Sequence, residues 1–357
     1  MSARGYAQAA VACGYEVITL DAFADADTCS VAKQAFKLNF SENGLDFTEF
    51  KHLFSMLDFS NCVGFLYGSL FDNAPDLLAW VADCMPLIGN TPAVMHAAKQ
   101  FDFFALLDEL AIKHPEVSRT KQLVLIKQLG GCGGTHIQTC LASLSSNVQQ
   151  TQYYQQKIEG TPVSLLFVAD GKSAQTVGFN LQLLAPTAKM PYRYGGAVSQ
   201  FPLPHSARQV FESAAQKLTQ ALGLRGCNSL DAVFDGQDLW VLELNPRLSA
   251  SFHLYTNLMP AHLQGCMGSL PRLPTSNHAV AHCVLYAEKE MVISADFAWP
   301  AEAMDIPSMV LGEGSVKIAQ NMPICTICSE AKTAEIAHTI ALNQANKLWQ
   351  RLNIGTN

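Results

Sequence analysis

Residues 239–252 read LWVLELNPRLSASF, a strand-like run that finishes in Glu243, Asn245 and Arg247. In an extended chain, side chains two apart share a face, so Glu243 and Asn245 lie side by side with Trp240, Leu242 and Leu244 opposite. Asp231 stands 12 residues before Glu243, across the turn DGQ. With a three-residue loop over 235–237, Asp231 sits opposite Val241 and diagonal to Glu243 on one face, with Cβ atoms about 7–8 Å apart. A two- or four-residue loop in the usual register would instead put the acids on opposite faces. Asp231, Glu243 and Asn245 together offer hard oxygen ligands suited to Mg²⁺, or Mn²⁺. Arg247 has the planar fork that grips a carboxylate or an acyl phosphate. The plainer alternative is a strand that simply runs out into a polar loop.

A second group of residues points to phosphate chemistry. Glycines 130, 131, 133 and 134 follow an apolar strand, QLVLIK (122–127), that ends in Lys127. The P-loop places its lysine after the glycines and follows it with Ser or Thr, so this is not that motif. The third glycine of the dinucleotide fingerprint is also missing. Glycines still let backbone N–H groups approach an anion closely, and Lys127 would neutralise inner phosphate oxygens. Read alone, the loop is more readily a flexible turn. A cation site facing a phosphate cradle is far less expected by chance than either piece.

The elements that must position these groups follow from patterning. SARGYAQAAVACGYEVITLDAF reads as a helix, a Gly14 stop and a strand. GFLYGSL is strand-like, DNAPDLLAWVADC helical, and MPLIGN strand then turn. This alternation predicts a small parallel α/β domain over 1–90, in which the chain starts inside the first helix and strand one is missing or replaced. Helical periodicity runs over 92–111, with a weak helix near 138–148. A second lobe boundary falls at 157/158. SARQVFESAAQKLTQALGL is an amphipathic helix closed by Gly223 and Gly226. A hairpin, a strand (AVAHCVLYAE) and a final helix (EIAHTIALNQANKLWQRL) complete the chain.

Bulk properties narrow the function. The 357 residues are 49% hydrophobic and only 15% charged, and the formal net charge is −7. That balance suits a core-rich protein of two or three lobes with room for a dimer interface, and it argues against a general nucleic-acid binder. No apolar run reaches the roughly 18 residues of a membrane span, and the N-terminus lacks a secretory pattern. The 11 cysteines, odd in number and set among apolar neighbours, point to reduced thiols in a cytoplasmic protein. Cys325 and Cys328 form a lone CxxC that lacks the second pair of a zinc site, which leaves buried thiols or a redox pair.

VLIKQLGGCGGTHI, QQKIEGTPVS and SLDAVFDGQDLWVLELNPR resemble, in that order, the first nucleotide-binding strand and glycine loop, the hinge strand and the metal hairpin of the ATP-grasp superfamily. The E-x-N-x-R ending is the most specific of these. SARGYAQAA, GSLFD, LIGN and NPRLSASF further resemble a group of predicted ATP-dependent carboligases and, more loosely, tyramine–glutamate ligases of one-carbon coenzyme synthesis. The resemblance implies an α/β ATP-grasp fold behind an N-terminal Rossmann-like domain. It implies that Lys99 and Lys127 contact nucleotide phosphates, that Gly131, Gly133 and Gly134 cradle them, and that Gln156, Lys157, Ile158 and Glu159 surround adenine and ribose. Asp231, Glu243 and Asn245 would hold one or two Mg²⁺, and Arg247 would stabilise the transferred phosphate. Lys99 read alone fits a solvated helix face just as well. His136, the run Ser249, Ser251, His253 and Tyr255, and the pair Tyr192 and Tyr194 are each either pocket-lining or ordinary loop residues.

The implied activity is ligation of a carboxylate to an amine with ATP and Mg²⁺. Phosphoryl transfer makes an acyl phosphate, an amine displaces phosphate, and the glycine-loop lobe closes to exclude water. The rivals are carboxylation through carboxyphosphate, as in biotin carboxylase, and a non-catalytic ATP-binding protein.

Overall fold

In the computed structural model, residues 2–41, 44–121, 123–139, 149–273, 276–308 and 314–354 are described. The N-terminal lobe opens on helix α1 (Arg4–Ala12), followed by strand β1 (Ile18–Asp21) and strand β2 (Gln34–Lys37), which pair in parallel. Further on, Phe65 and Leu87 make one more parallel bridge. Helices over Phe47–Ser55 and Pro75–Cys84 supply Phe50, Phe54, Leu77, Leu78 and Val81 to a separate apolar core. The expected α/β alternation is present, and α1 enters the lobe with no strand before it among the described residues.

The helical pattern over 92–111 resolves into two helices, α2 (Pro92–Lys99) and α3 (Phe103–Glu109). Thr91 caps the first with Pro92 in its opening turn, and Gln100 takes extended backbone that ends it directly after Lys99. A four-stranded sheet follows. It holds β3 (Leu125–Gln128) and β4 (Gln152–Gln155) in antiparallel pairing, flanked by short strands at Val117–Ser118 and Gln138–Thr139. The helix expected near 138–148 lies largely outside the described residues.

The large lobe is an eight-stranded sheet. Its strands are β5 (Thr161–Asp170), β6 (Ala174–Leu184), β7 (Tyr194–Val198), β8 (Arg225–Phe234), β9 (Leu239–Asn245), β10 (Ala279–Tyr286) and β11 (Pro323–Ala331), with a short edge strand at Ala303–Met304. The order is β9-β8-β5-β6-β7-β10-β11 and then the edge. Helix α4 (His205–Leu222) buries Phe211, Ala214, Ala215 and Leu218 against Leu165, Phe167, Leu230 and Val241. It ends where Gly223 takes a left-handed φ of 67°. Helix α5 (Leu258–Cys266) packs Leu258 and Met259 with Leu166, Val168 and Cys227, and α6 (Ala334–Ile354) packs beside β10 and β11. The mixed α/β architecture fits the fold expected from the resemblance. Among the described residues no helix is long and apolar enough to cross a membrane.

Cys325 and Cys328 lie on one uninterrupted stretch of β11, paired with Leu285 and His282. Residues three apart on a strand point to opposite faces, and at about 3.3 Å of rise each their Cα atoms are too far apart for a disulfide. Cys325 is buried in the core with Ala287, Ile324 and Ile327, while Cys328, on the other face, is only partly buried.

Histidines are built into this interior as neutral groups. His262 Nδ1 accepts from the Cys227 N–H at 2.9 Å and its Nε2 donates to the Ile88 carbonyl at 3.2 Å, which uses both nitrogens of one neutral tautomer. Burial pulls His262 and His282 each down to about 4. In the unfolded chain they take up protons near pH 6.5. Their contribution to stability is therefore complete above that pH and is lost as pH falls from 6.5 towards 4. The urea midpoint is expected to drop between pH 7.5 and 5, with a shallower drop in His262→Asn. A flat profile that the variant leaves unchanged would contradict this assignment.

Candidate active site

The site is built on the hairpin of β8 and β9. Phe234 pairs with Leu239, so the connecting loop has four residues, 235–238, and not three. From Ala232 opposite Val241 the register then shifts, and Asp231 stands directly opposite Glu243 with Leu242 as the extra residue. A four-residue loop in unbroken register would have separated the two acids, and the one-residue bulge restores them to one face. The expected position, opposite Val241 and diagonal to Glu243, is thus replaced by direct opposition to Glu243. Leu239, Val241 and Leu244 point into the core with Leu230 and Ala232, while Trp240 and Leu242 do not fill the apolar face as the simple alternation predicts.

The polar face continues across the sheet. Glu243 is opposite Asp231, Asp231 opposite Ser164, and Ser164 opposite Asn180. Asn180 donates to Ser164 Oγ at 3.2 Å and accepts from the Tyr255 hydroxyl at 2.7 Å. Tyr255 thus braces this row.

Asn245 lies at the centre. Its amide nitrogen donates to Asp231 Oδ2 at 3.1 Å and Glu243 Oε1 at 3.3 Å. Its oxygen accepts from Lys99 Nζ at 2.7 Å and Arg247 Nη2 at 2.9 Å. Lys99 also lies 3.8 Å from Glu243 and 3.7 Å from Asp72. It is 7% exposed, so it is not on a solvated helix face. The Asn245 NH₂ therefore occupies the place between two carboxylates that a cation would take. The donor set of two carboxylates and an amide oxygen fits Mg²⁺ or Mn²⁺ once the amide turns its oxygen inward. Among the described residues no group of three His, Cys, Asp or Glu forms a metal cluster, which leaves this two-acid, one-amide set.

The electrostatics split the acid pair. Burial and the facing Glu243 carboxylate push Asp231 up to about 7. Burial works on Glu243 in the same direction, but Lys99, Lys127 and His136 hold it down at about 2. Of the two acids, Asp231 is therefore the readier to hold a proton and Glu243 the readier to stay charged.

Arg247 spends its fork inside the protein. Nε and Nη2 reach the two oxygens of Asp72 at 2.9 and 2.6 Å, and Nη1 donates to the Leu248 carbonyl at 3.2 Å. Although burial opposes its charge, Asp72 raises Arg247 above its ordinary value. Asp72, from the segment GSLFD, is the site residue that sequence reasoning missed. Asn90 of LIGN is a second: it donates to Asn228 Oδ1 at 2.7 Å and the Pro246 carbonyl at 2.9 Å, and accepts from the Arg225 N–H at 2.8 Å. Both tie the N-terminal lobe to the hairpin.

Over the acid pair sits the glycine loop. Gly130, Gly133 and Gly134 have φ between 66° and 72°, and a Cβ on Gly134 would lie 1.9 Å from the Tyr192 carbonyl oxygen. Gly131 is crowded by the His136 ring in the same way. The Tyr194 N–H donates to the Gly133 carbonyl at 2.9 Å, so the PYRYGGA segment holds the loop down. Lys127 donates to Gln155 Oε1 at 3.1 Å, and burial lowers its pKa against the pull of Glu243 and Asp231. Gln155 Nε2 and His136 Nδ1 are buried without a hydrogen-bond partner, and burial lowers His136 to about 4. Unpartnered polar atoms beside a buried lysine fit a nucleotide. The space between the loop, Lys99 and Glu243 is only about 30 Å³.

The remaining expected residues lie further out. Gln156, Lys157 and Glu159 are exposed, with Ile158 half-buried, on the segment joining the two sheets. The Gln156 N–H donates to the Glu116 carbonyl at 2.8 Å, and Lys157 pairs with Glu159. Ser249 and Ser251 hydrogen bond to each other at 2.8 Å, and His253 stacks on Tyr6 of α1.

Residues 97–251 match the sequence profile of the ATP-grasp domain. That segment is similar to an ATP-grasp domain. Over 198 residues it is 25% identical to the large chain of the arginine-specific carbamoyl phosphate synthase of Bacillus subtilis (strain 168), a match covering 48% of this chain and 19% of that one. Its fold is similar to Rhizobium etli pyruvate carboxylase, with a TM-score of 0.74 at 12% identity over 96% of this chain and 36% of the other. It is also similar to the biotin carboxylase domain of Hydrogenobacter thermophilus 2-oxoglutarate carboxylase, in complex with MgADP, ADP and bicarbonate. There the TM-score is 0.68 at 12% identity, over 93% of this chain and 84% of that one. The chain thus spans about a fifth of the curated relative and about a third of the pyruvate carboxylase.

Asp72→Ala leaves the Arg247 guanidinium buried without its carboxylate. The variant is expected to lose about 3–5 kcal/mol of stability, measured by denaturant unfolding. A loss below 1 kcal/mol would show that the pair does not hold the lobes together.

Proposed function

We propose that this protein is an ATP-grasp enzyme that uses ATP and a divalent cation to convert a carboxylate into an acyl phosphate, then passes the acyl group to a nucleophile. The reading rests on the directly opposed Asp231 and Glu243, bridged by Asn245 and flanked by Lys99 and Lys127 beneath a glycine loop. Bound Mg²⁺ or Mn²⁺, held by Asp231, Glu243 and Asn245, supplies charge neutralisation for phosphate oxygens. Lys127 and Lys99 bring two further positive charges to the same oxygens. A carboxylate oxygen forms the new bond to the γ-phosphorus as the bond to ADP breaks. The nucleophile then takes the acyl carbon and inorganic phosphate leaves. Arg247 acts by position: with Asp72 on its fork it holds the Asn245 oxygen and fixes the end of β9. Gly131, Gly133 and Gly134 close backbone over the phosphates and exclude water. Adenine and ribose are left to the segment Gln156, Lys157, Ile158 and Glu159, which joins the two lobes.

Bicarbonate is the first carboxylate to test, because the two similar structures are carboxylases and one is a complex with bicarbonate and MgADP. Ligation to an amine is the second reading, favoured by the sequence after Arg247, where LSASF resembles the carboligase group. ADP release is measured with MgATP plus bicarbonate alone, and with MgATP plus glutamate and a panel of amines. Stimulation by bicarbonate alone supports carboxyphosphate formation, and stimulation only with acid and amine together supports amide ligation. No stimulation by any carboxylate would contradict acyl-phosphate chemistry.

Glu243→Gln keeps volume and removes one anionic ligand. It is expected to lower ATP turnover at least about 100-fold with an unchanged melting temperature, whereas near wild-type turnover would remove Glu243 from the mechanism. Lys127→Ala is expected to raise KM for ATP about tenfold or more. An unchanged KM and rate would assign Lys127 to structure alone.

A further inference from the structure

Gln155, at the end of β4, takes no part in the acyl transfer, yet its side chain is only 1% exposed. Its strand is interior to the small sheet, where Gln155 pairs with Val117 on one side and Leu125 on the other. The backbone is held from both sides, so the side chain starts from a fixed point. Leu125 and Lys127 share one face of β3, and Gln155 and Tyr153 take the facing positions on β4. Tyr153 packs against Phe101 and against Phe104 of α3, which makes this face apolar apart from Lys127 and the Gln155 carboxamide.

The two ends of that carboxamide are not interchangeable. Lys127 Nζ is a donor, and it lies 3.1 Å from Gln155 Oε1. Turning the amide over would set its NH₂ against another donor, so the oxygen belongs to Lys127 and Nε2 is left on the far side. Nε2 is buried with no hydrogen-bond partner. A buried donor without an acceptor costs stability, and an arriving acceptor atom recovers that cost.

Position narrows the acceptor. Lys127 leads into the glycine loop, and the segment directly after Gln155 joins the two sheets. Nε2 therefore stands between the phosphate end of the site and its hinge end. On a purine nucleotide, N7 is the acceptor on the base edge nearest the phosphates, a neutral nitrogen with one lone pair and no hydrogen. A neutral NH₂ matches it. Phosphate oxygens call for charge, which Lys127 and Lys99 carry.

We propose that Gln155 reads the base, with Nε2 donating to N7 of a purine nucleotide while Oε1 holds Lys127 towards the phosphates. This rests on the proposed ATP site and adds to it a selection of purine over pyrimidine, which presents only C–H at that edge. One side chain thus fixes the base and the phosphate-binding lysine together.

The test is calorimetric titration of the full chain, in Mg²⁺, with ADP, 7-deaza-ADP and CDP. 7-deaza-ADP replaces N7 by C–H and keeps the rest of the nucleotide. The wild-type protein is expected to bind 7-deaza-ADP and CDP about tenfold or more weakly than ADP. Gln155→Met should bind ADP and 7-deaza-ADP within about twofold of each other, because its effect on Lys127 acts on both alike and cancels in the ratio. Gln155→Glu keeps an oxygen for Lys127 but sets an acceptor against N7, and it preserves the readout if the methionine variant does not fold. It should bind 7-deaza-ADP at least as tightly as ADP. Equal binding of ADP with 7-deaza-ADP or with CDP by the wild-type protein would overturn the proposal and leave the nucleotide site standing. So would an unchanged preference for ADP over 7-deaza-ADP in the folded variants, which would assign N7 to another residue. Binding of none of the three would overturn both the proposal and the ATP site.

Discussion

The candidate site depends on one irregularity, the extra residue at Leu242. Strands alternate strictly, so a carboxylate two residues from the buried Val241 would follow it into the core. The bulge inserts one residue, returns Leu244 to the core and turns Glu243 out to meet Asp231. One local shift thereby keeps an apolar face beneath the hairpin and a paired-acid face above it. Bulges recur next to active sites because they re-aim a side chain without moving the sheet.

Around that acid pair the charges form a closed network. Asn245 links both acids to Lys99 and Arg247, and Arg247 links them to Asp72 in the other lobe. Each buried charge thus has partners, as a low-dielectric interior requires. The Asn245 nitrogen stands between the two acids, where the proposed cation would bridge them. Tying Asp72 and Asn90 to the hairpin also means that the N-terminal lobe shapes the site directly.

Much of this was legible in residue types. Asp231, Glu243, Asn245 and Arg247 stood out because an apolar strand has no packing reason to end in two acids, an amide and a guanidinium. The register was not legible. The four-residue loop and the bulge each invert parity, and together they cancel, so the acids share a face by a route that counting from a three-residue loop does not give. Asp72 was invisible for another reason: its partner lies 175 residues away, and a lone aspartate in GSLFD carries no periodic signal. The helical pattern over 92–111 runs through Gln100, where extended backbone ends the first helix.

The proposed cation site of Asp231, Glu243 and Asn245 under the glycine loop is tested by anomalous diffraction from crystals grown with Mn²⁺ and ADP. A manganese peak is expected between the two carboxylates, with the Asn245 oxygen turned towards it and the nucleotide phosphates beside Lys127. Manganese bound elsewhere, with the Asn245 nitrogen still bridging the acids in the presence of ADP, would contradict it.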